Sequence, residues 1–300
     1  MSLGTNLPPQ IRQRTVSKAR TLLEALPFMR EHHGKAIVVK YGGAAMEKAG
    51  LAKPFAEDIA LLRSVGINPV VVHGGGPQVT KMSAQLGIET QFVDGLRVTD
   101  AQTLDVATMV LAGKLNTDVV MTLNAEGVPA VGLSGVDGQL LLARKQSGPD
   151  LGFVGEVVHV DPGVVHTLLN ERYVPVIASI AMDGSGQAYN VNADVVASEL
   201  AMSLGAEKLV FINDVPGLIG AAGDLLSELS AQQCLDLLAA DGVVEGGMIP
   251  KLESAVRALN AGVGRVHLVD GRVEHALVLE LFTPEGIGTM IAPDSDKQDA

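Results

Sequence analysis

Residues 36–43, Ala-Ile-Val-Val-Lys-Tyr-Gly-Gly, and residues 69–76, Pro-Val-Val-Val-His-Gly-Gly-Gly, decide the fold. In each, a short β-branched apolar run empties into glycines. Such a run reads as a strand buried on both faces. Glycines straight after it let the backbone turn sharply and bring bare N–H groups close to a ligand. N–H groups so placed bind anions, phosphate above all. Lys40, before Gly42 and Gly43, adds a mobile positive charge; an exposed strand-end lysine is the plain alternative. Gly74, Gly75 and Gly76 are costly in conformational entropy, and Pro77 follows them at a helix start. Two such loops on neighbouring parallel strands face one crevice at the strands' carboxyl ends. Together they read as a cradle for a phosphoryl group.

Strands and helices alternate around these loops. The pattern predicts strands over 36–40 and 70–73, each followed by a helix, over 51–65 and 78–86. A hairpin is expected near 88–98, a helix over 101–125 and a strand over 127–133. Residues 140–160 read as Gly-rich and strand-like, closed by Asp-Pro-Gly at 161–163. A helix over 164–170 leads to a strand over 174–179, and Asp-Gly-Ser-Gly-Gln at 183–187 is a turn. Then come a helix over 193–204, a strand over 208–212, helices over 231–240 and 250–261, a strand over 265–269, a helix over 276–281 and a tail at 288–291. This βαβα rhythm predicts an α/β fold with an open, doubly wound sheet. A lobe boundary near 168–174 divides the chain into segments 1–33, 34–172 and 173–300.

Residues 1–8 read as disordered. From 9 to 33 a helical pattern runs through Ile11, Val16, Ala19, Leu22, Leu23 and Leu26, with Arg12, Arg14, Lys18 and Arg20 among them. This helix completes no βα unit. Two readings stay open: a helix packed on its own domain, or an arm packed on another subunit.

Of the 300 residues, 47% are hydrophobic and 19% charged, enough for a large core. Aromatics make up 3%, with no Trp and 34 Gly, a mixture suited to a parallel sheet. The 22 basic against 34 acidic residues leave a charge of −12, which disfavours nucleic acid and anionic membranes as partners. Cys234 is the single cysteine, so neither an internal disulfide nor a cysteine-based metal cluster is expected. No apolar run reaches the length of a membrane span, and the polar N-terminus carries no signal core. A soluble, cytoplasmic protein is expected.

Other clusters carry polar groups. Tyr189-Asn190-Val191-Asn192-Ala193-Asp194 puts Asn190 and Asn192 on one side of an extended stretch. Asp194 stands in the following helix's first turn, where a carboxylate is favoured; helix capping by Asn192 is the plain alternative. Gly246-Gly247-Met248-Ile249-Pro250-Lys251 leads glycines into a helix whose first turn holds a cation. Lys251 there opposes the helix dipole, and an anionic ligand would compensate. Arg97, beside a turn, suits either a carboxylate ligand or a surface ion pair. Asn213, Asp214, Val215, Pro216 and Gly217 follow a strand end, as a nucleotide-contacting loop or a simple turn does. No G-x-x-x-x-G-K-[ST], no G-x-G-x-x-G after a strand and no protein-kinase signature occurs.

In order, VVKYGGAAM, VVHGGGPQV, GLRVTD, NVNAD, FINDVPGL, GGMIPK and HLVDGRVEHALVLELFTPEGIGTMI resemble the amino acid kinase superfamily, and within it the N-acetylglutamate kinase family, over residues 35–291. Each motif is weak alone; seven in order are specific. The resemblance implies a three-layer αβα sandwich on an open, mainly parallel sheet. It implies N-acetyl-L-glutamate on the N-terminal lobe, ATP on the C-terminal lobe, and phosphoryl transfer to the side-chain carboxylate. By the same resemblance, Lys40 and Lys251 stabilise the transferring phosphoryl and Asp194 holds both lysines. Gly43, Gly75 and Gly76 donate backbone N–H groups, and Arg97, Asn190 and Asn192 bind substrate. Asn213, Asp214, Val215 and Gly217 contact nucleotide. Mg²⁺ is expected to arrive with ATP, since no carboxylate cluster announces a metal cage. The N-terminal helix resembles that of the arginine-inhibited class, a homohexamer built as a trimer of dimers. Lys208, His267, Glu285 and Gly288 are then candidates for an L-arginine site, and some such hexamers engage a PII signalling protein. Another carboxylate or carbamate kinase, or a non-catalytic amino-acid sensor, are the rivals. Arg97 with Asn190 speaks against the first, and Lys40, Asp194 and Lys251 together against the second.

Overall fold

The computed structural model describes residues 9–42, 46, 48, 50–93, 95–220, 223–240, 244 and 246–294; the expectation for residues 1–8 lies outside these. An eight-stranded sheet runs through the molecule. Its neighbours in order are β12 (Glu228–Ser230), β14 (Thr289–Ala292), β13 (Arg265–Asp270), β11 (Lys208–Asn213), β1 (Ala36–Tyr41), β2 (Asn68–His73), β8 (Val174–Ala178) and β5 (Ala130–Ser134). Every neighbouring pair is parallel except β13 with β14. The open, mainly parallel sheet between helical layers is thus as expected.

Strand parity sorts the side chains. Val38, Val70, Val72, Leu209, Phe211 and Leu268 face one layer of helices. That layer holds α5 (Gly163–Asn170), α6 (Ala193–Ser203), α7 (Ala231–Ala239) and α8 (Met248–Asn260). Ile37, Val39, Val71, Val210, Ile212 and Val269 face the other layer. There lie the end of α1 (Pro9–His32), α2 (Ala52–Ser64), the second half of α4 (Ala101–Ala125) and α9 (Ala276–Phe282). Because successive side chains alternate across a strand, each strand-end polar residue has its layer assigned by number. Lys40 and Asn213 fall on the α6–α8 side; His73, Lys208 and His267 fall on the other.

Several expectations need correction. The 174–179 segment ends as β8, and the chain then joins a second sheet. That sheet has the order β10 (Ala188–Asn190), β9 (Ile180–Met182), β6 (Leu141–Lys145), β7 (Gly155–Val160). The 183–187 turn closes the β9–β10 hairpin through Asp183, whose carboxylate accepts the Ser185 and Gln187 N–H groups. The 288–291 tail is the antiparallel strand β14, and β12 went unpredicted; strands this short gain their identity from partners remote in sequence. β8 begins just past the expected lobe boundary yet lies between β2 and β5, so one sheet carries strands from both segments.

α4 also differs from expectation. Its middle, Met109–Leu115, is a π-helical turn. The 25-residue helix, with a mean hydropathy of 1.2 over its most apolar stretch, is long and apolar enough to cross a membrane. It is a core helix instead: Val106, Val110 and Leu111 pack on α3 (Gly76–Gln85), and Val119 and Leu123 lie under the sheet. α1 satisfies one open reading in part. Ala25, Phe28 and Met29 pack on the chain's own core. Ile11, Val16, Leu22 and Leu23 are 46–68% exposed.

Candidate active site

A cleft of about 290 Å³ opens at the carboxyl ends of β1 and β2. Its floor is the first turn of α6. Asn192 caps that helix, its Oδ1 accepting the Asp194 N–H at 2.7 Å. Its side-chain oxygen is therefore occupied locally, and the capping alternative holds. The cap aims the buried Asp194 carboxylate into the cleft between two lysines. Lys40 Nζ, from the end of β1, lies 2.9 Å from Oδ1. Lys251 Nζ, from the first turn of α8, donates to Oδ2 at 2.7 Å. Burial works to raise the Asp194 pKa, but Lys40 and Lys251 outweigh it and hold the carboxyl below the usual range. Residues 211 positions apart thus meet on one anion, leaving a net positive charge at the mouth of the glycine loops.

Gly74 and Gly75 lead into α3, whose N1 is Gly76 with Pro77 behind it. The first N–H groups of this helix lack intrahelical partners and face the cleft with the positive end of the helix dipole. At Gly75 a Cβ would lie 2.2 Å from Leu115 Cδ1 and 2.8 Å from Leu111 Cδ2, both on the π turn of α4, so a side chain there would displace these leucines. Gly43 lies outside the described residues.

The cleft's other wall is the hairpin β3 (Phe92–Val93) and β4 (Leu96–Arg97). Arg97 is 8% exposed, and its Cζ lies 4.8 Å from the centre of the Phe92 ring. Its Nη2 donates to Gly76 O at 2.7 Å and to Thr80 Oγ1 at 2.8 Å, tying the hairpin to α3. Its Nη1 is buried without a hydrogen-bond partner, and burial pulls its pKa down. A buried guanidinium with an unmade bond favours an incoming anion. Asn190, at the end of β10 and lining the same cleft, donates to the buried Thr99 Oγ1 at 3.4 Å. Thr80 was missed by sequence reasoning, and Thr99 stood within the motif at 95–100 without being singled out.

The 213–217 segment leaves the carboxyl end of β11, beside β1, and does not line this cleft. Asn213 is buried with Oδ1 unpartnered, whereas Asp214 and Val215 are exposed. The Leu218 N–H beyond Gly217 donates to Thr289 Oγ1 at 2.8 Å.

A second polar cluster lies on the opposite face of the sheet. Lys208 Nζ stands 3.1 Å from His267 Nε2, and His267 Nδ1 lies 2.6 Å from Glu280 Oε1. Glu280 Oε2 accepts the Ile287 and Gly288 N–H groups at 2.8 and 2.9 Å. Burial pulls both Lys208 and His267 toward neutrality. For Glu280, burial pushes upward, but the His267 bond and the two N–H groups hold it low. Lys208, His267 and Gly288 thus come together, while Glu285 is exposed and outside the set. The carboxylate at its centre, Glu280, was missed. Its signal was a lone acid within the apolar run Ala276-Leu277-Val278-Leu279-Glu280-Leu281-Phe282.

Comparison with known proteins places the chain among relatives. The model of the amino acid kinase family matches residues 35–270. An acetylglutamate kinase of Symbiobacterium thermophilum is 51% identical over 290 residues, covering 93% of this chain and 99% of the relative. An acetylglutamate kinase of Aquifex aeolicus is 48% identical over 292 residues, covering 92% and 98%. Among solved structures, N-acetylglutamate synthase from Neisseria gonorrhoeae, complexed with coenzyme A and N-acetyl-glutamate, superposes with a TM-score of 0.82 at 30% identity. That match covers 91% of this chain and 63% of the synthase.

Proposed function

The chain belongs to the amino acid kinase family, and from that premise we propose that it is an acetylglutamate kinase. The reaction moves the γ-phosphoryl group of ATP to the side-chain carboxylate of N-acetyl-L-glutamate. The product is N-acetyl-L-glutamyl 5-phosphate, at the second step of arginine biosynthesis. The observation that carries the reading is the meeting of Lys40 and Lys251 on Asp194 beside an open helix N-terminus.

A carboxylate is already a nucleophile near neutral pH, so the reaction needs no general base. The difficulty is to bring one anion onto another and to stabilise charge on the equatorial oxygens. The two ammonium groups and the Gly75 and Gly76 N–H groups supply that stabilisation, preorganised in a partly closed cleft. Asp194 orients the lysines and takes no proton. Arg97, with its unfilled Nη1, receives a carboxylate of N-acetylglutamate, and Asn190 and Asn192 flank it. Asn213, with Asp214, Val215 and Gly217, is assigned to the nucleotide, which puts ATP on the C-terminal part of the sheet. Mg²⁺ enters as part of the nucleotide substrate. Among the described residues lining the cleft Asp194 is the one carboxylate, and it is taken by lysines, so no protein ligand set for the metal is assigned there.

We infer in addition a homohexamer, a trimer of dimers, with L-arginine as feedback inhibitor. The exposed apolar residues of α1 support an arm that packs on a second copy. The Lys208–His267–Glu280 cluster near the end of α1 supports an arginine site, with Glu280 or Glu285 for the guanidinium. A PII signalling protein is the macromolecular partner in this reading, and the cytoplasm is its compartment.

The test incubates the protein with MgATP and N-acetyl-L-glutamate and traps the acyl phosphate with hydroxylamine, with and without L-arginine. Hydroxamate that falls as arginine rises supports both enzyme and control. Hydroxamate indifferent to arginine removes the regulatory reading. Hydroxamate formed from aspartate, glutamate or carbamate but not from N-acetylglutamate overturns the substrate assignment.

A further inference from the structure

His73 lies directly beneath the glycine loop and has no part in the mechanism above. It is the last residue of β2, is fully buried, and its odd number turns it toward α4. Its Nε2 stands 3.0 Å from Nδ2 of the buried Asn116. Its Nδ1 stands 3.0 Å from Gly74 O. Asn116 follows the π turn of α4, and its Nδ2 also lies 2.9 Å from Val176 O and 3.2 Å from Leu133 O, so its two hydrogens are shared among three acceptors. Two strand carbonyls therefore fix this atom as the amide nitrogen. A Cβ on Gly132 would lie 1.9 Å from Asn116 Oδ1, so the glycine leaves the room that this amide occupies.

The network has one consistent protonation. An amide nitrogen only donates, so His73 Nε2 must be the unprotonated acceptor. Burial pulls the His73 pKa down, which favours the neutral ring. The ring proton then sits on Nδ1 and donates to Gly74 O. In a planar trans peptide the C=O and the following N–H point opposite ways. Holding the Gly74 carbonyl down onto the ring thus turns the Gly75 N–H up, toward the cleft.

We propose that Asn116 and neutral His73 are positioning residues that aim the Gly75 N–H at the reacting phosphoryl group. The π turn serves the same end twice, seating Leu111 and Leu115 against Gly75 and delivering Asn116 to His73. The inference rests on the phosphoryl-transfer reading of the cleft.

Asn116→Asp tests it with almost no change of shape. The oxygen that replaces Nδ2 faces His73 Nε2 and the Val176 and Leu133 carbonyl oxygens; when ionised it accepts from Nε2, so a neutral ring would present a bare Nδ1 lone pair to Gly74 O. With that carboxyl ionised, only the imidazolium, with both nitrogens protonated, keeps the Gly74 contact; a protonated carboxyl donates to Nε2 as the amide does. At high pH the variant should lose about 10- to 100-fold in kcat with ATP KM changed less than about threefold. Relative to the unaltered protein, lowering the pH should restore kcat as the pair formed by His73 and the new carboxyl gains a proton. A variant with unchanged kcat, or one whose loss is the same at every pH, overturns the proposal. Should the variant fail to fold, ¹⁵N spectra of the histidine rings in the unaltered protein decide, with His73 assigned by a His73→Gln sample. A proton on Nδ1 supports the assignment; an Nε2–H tautomer overturns it. An unaltered protein that transfers no phosphoryl group would instead remove the functional reading, whatever the tautomer.

Discussion

Lys251 bears the most exacting demand of any residue in the cleft. It stands in the first turn of α8, where the helix dipole repels a cation, and is held there by Asp194 at 2.7 Å. Asp194 can meet this demand because its own charge is secured by the two lysines against a burial that would neutralise it. On the proposed mechanism, Lys251 exchanges part of this ion pair for the moving phosphoryl oxygens in the transition state. Lys251→Ala is therefore expected to lower kcat by about 100-fold or more while ATP KM shifts less than about fivefold. Steady-state kinetics check this, and an unchanged kcat would remove Lys251 from the chemistry.

At the scale of elements, helix ends carry much of the organisation. α6 and α3 point their N-termini at the cleft, and α9 starts on a buried acid from a different helix. Asp58 of α2 lies 2.8 Å from His275 Nδ1 and accepts the Leu277 N–H at 3.2 Å, joining α2 to α9. Burial pushes the Asp58 carboxyl up to about 6, and its hydrogen bonds only partly offset this. A carboxyl raised above its unfolded value holds more protons folded than unfolded between about pH 4 and 6. Its contribution is thus complete below pH 4 and is lost as pH rises through 6, an effect on the order of 2–3 kcal/mol. Asp58→Asn cannot titrate. The stability of the unaltered protein relative to this variant should decline between pH 4 and 6 in urea denaturation. A constant or rising difference would show that the hydrogen bonds, not burial, govern the group.

For the whole molecule, α1 divides into two parts at about residue 24. Ala25, Phe28 and Met29 belong to the core, whereas the residues before them expose an apolar stripe. An exposed stripe on a helix that leaves its own domain is stabilised by burial against another copy. Removing residues 1–24 should keep the core folded and the hydroxamate reaction intact but reduce the proposed hexamer to dimers. Sedimentation velocity reads the outcome, and a truncated protein that still sediments as a hexamer would refute the arm.

The strands at 36–40 and 70–73 were legible because burial on both faces demands continuous β-branched runs, and the glycine loops because backbone approach to an anion excludes side chains. Lys40, Asp194 and Lys251 stand out at strand and helix ends, but each kept a plain alternative there; their joint role came from the ordered motifs that resemble the kinase family. The pattern was blind to β9, β10 and β12, whose hydrogen-bond partners lie far away in the chain. It was blind also to the π turn, which adds no residue type of its own, and to Glu280, whose His267 and Gly288 partners are remote. What the sequence by itself determined is the alternation of buried strands and helices and the chemistry at their ends, both consequences of short-range sterics and periodicity. Only the tertiary structure decided which ends meet: that two lysines 211 residues apart share one carboxylate, and that an amide from α4 sets the tautomer beneath the glycine loop. Contacts of that kind depend on strand order and parity, which no local run of residues contains.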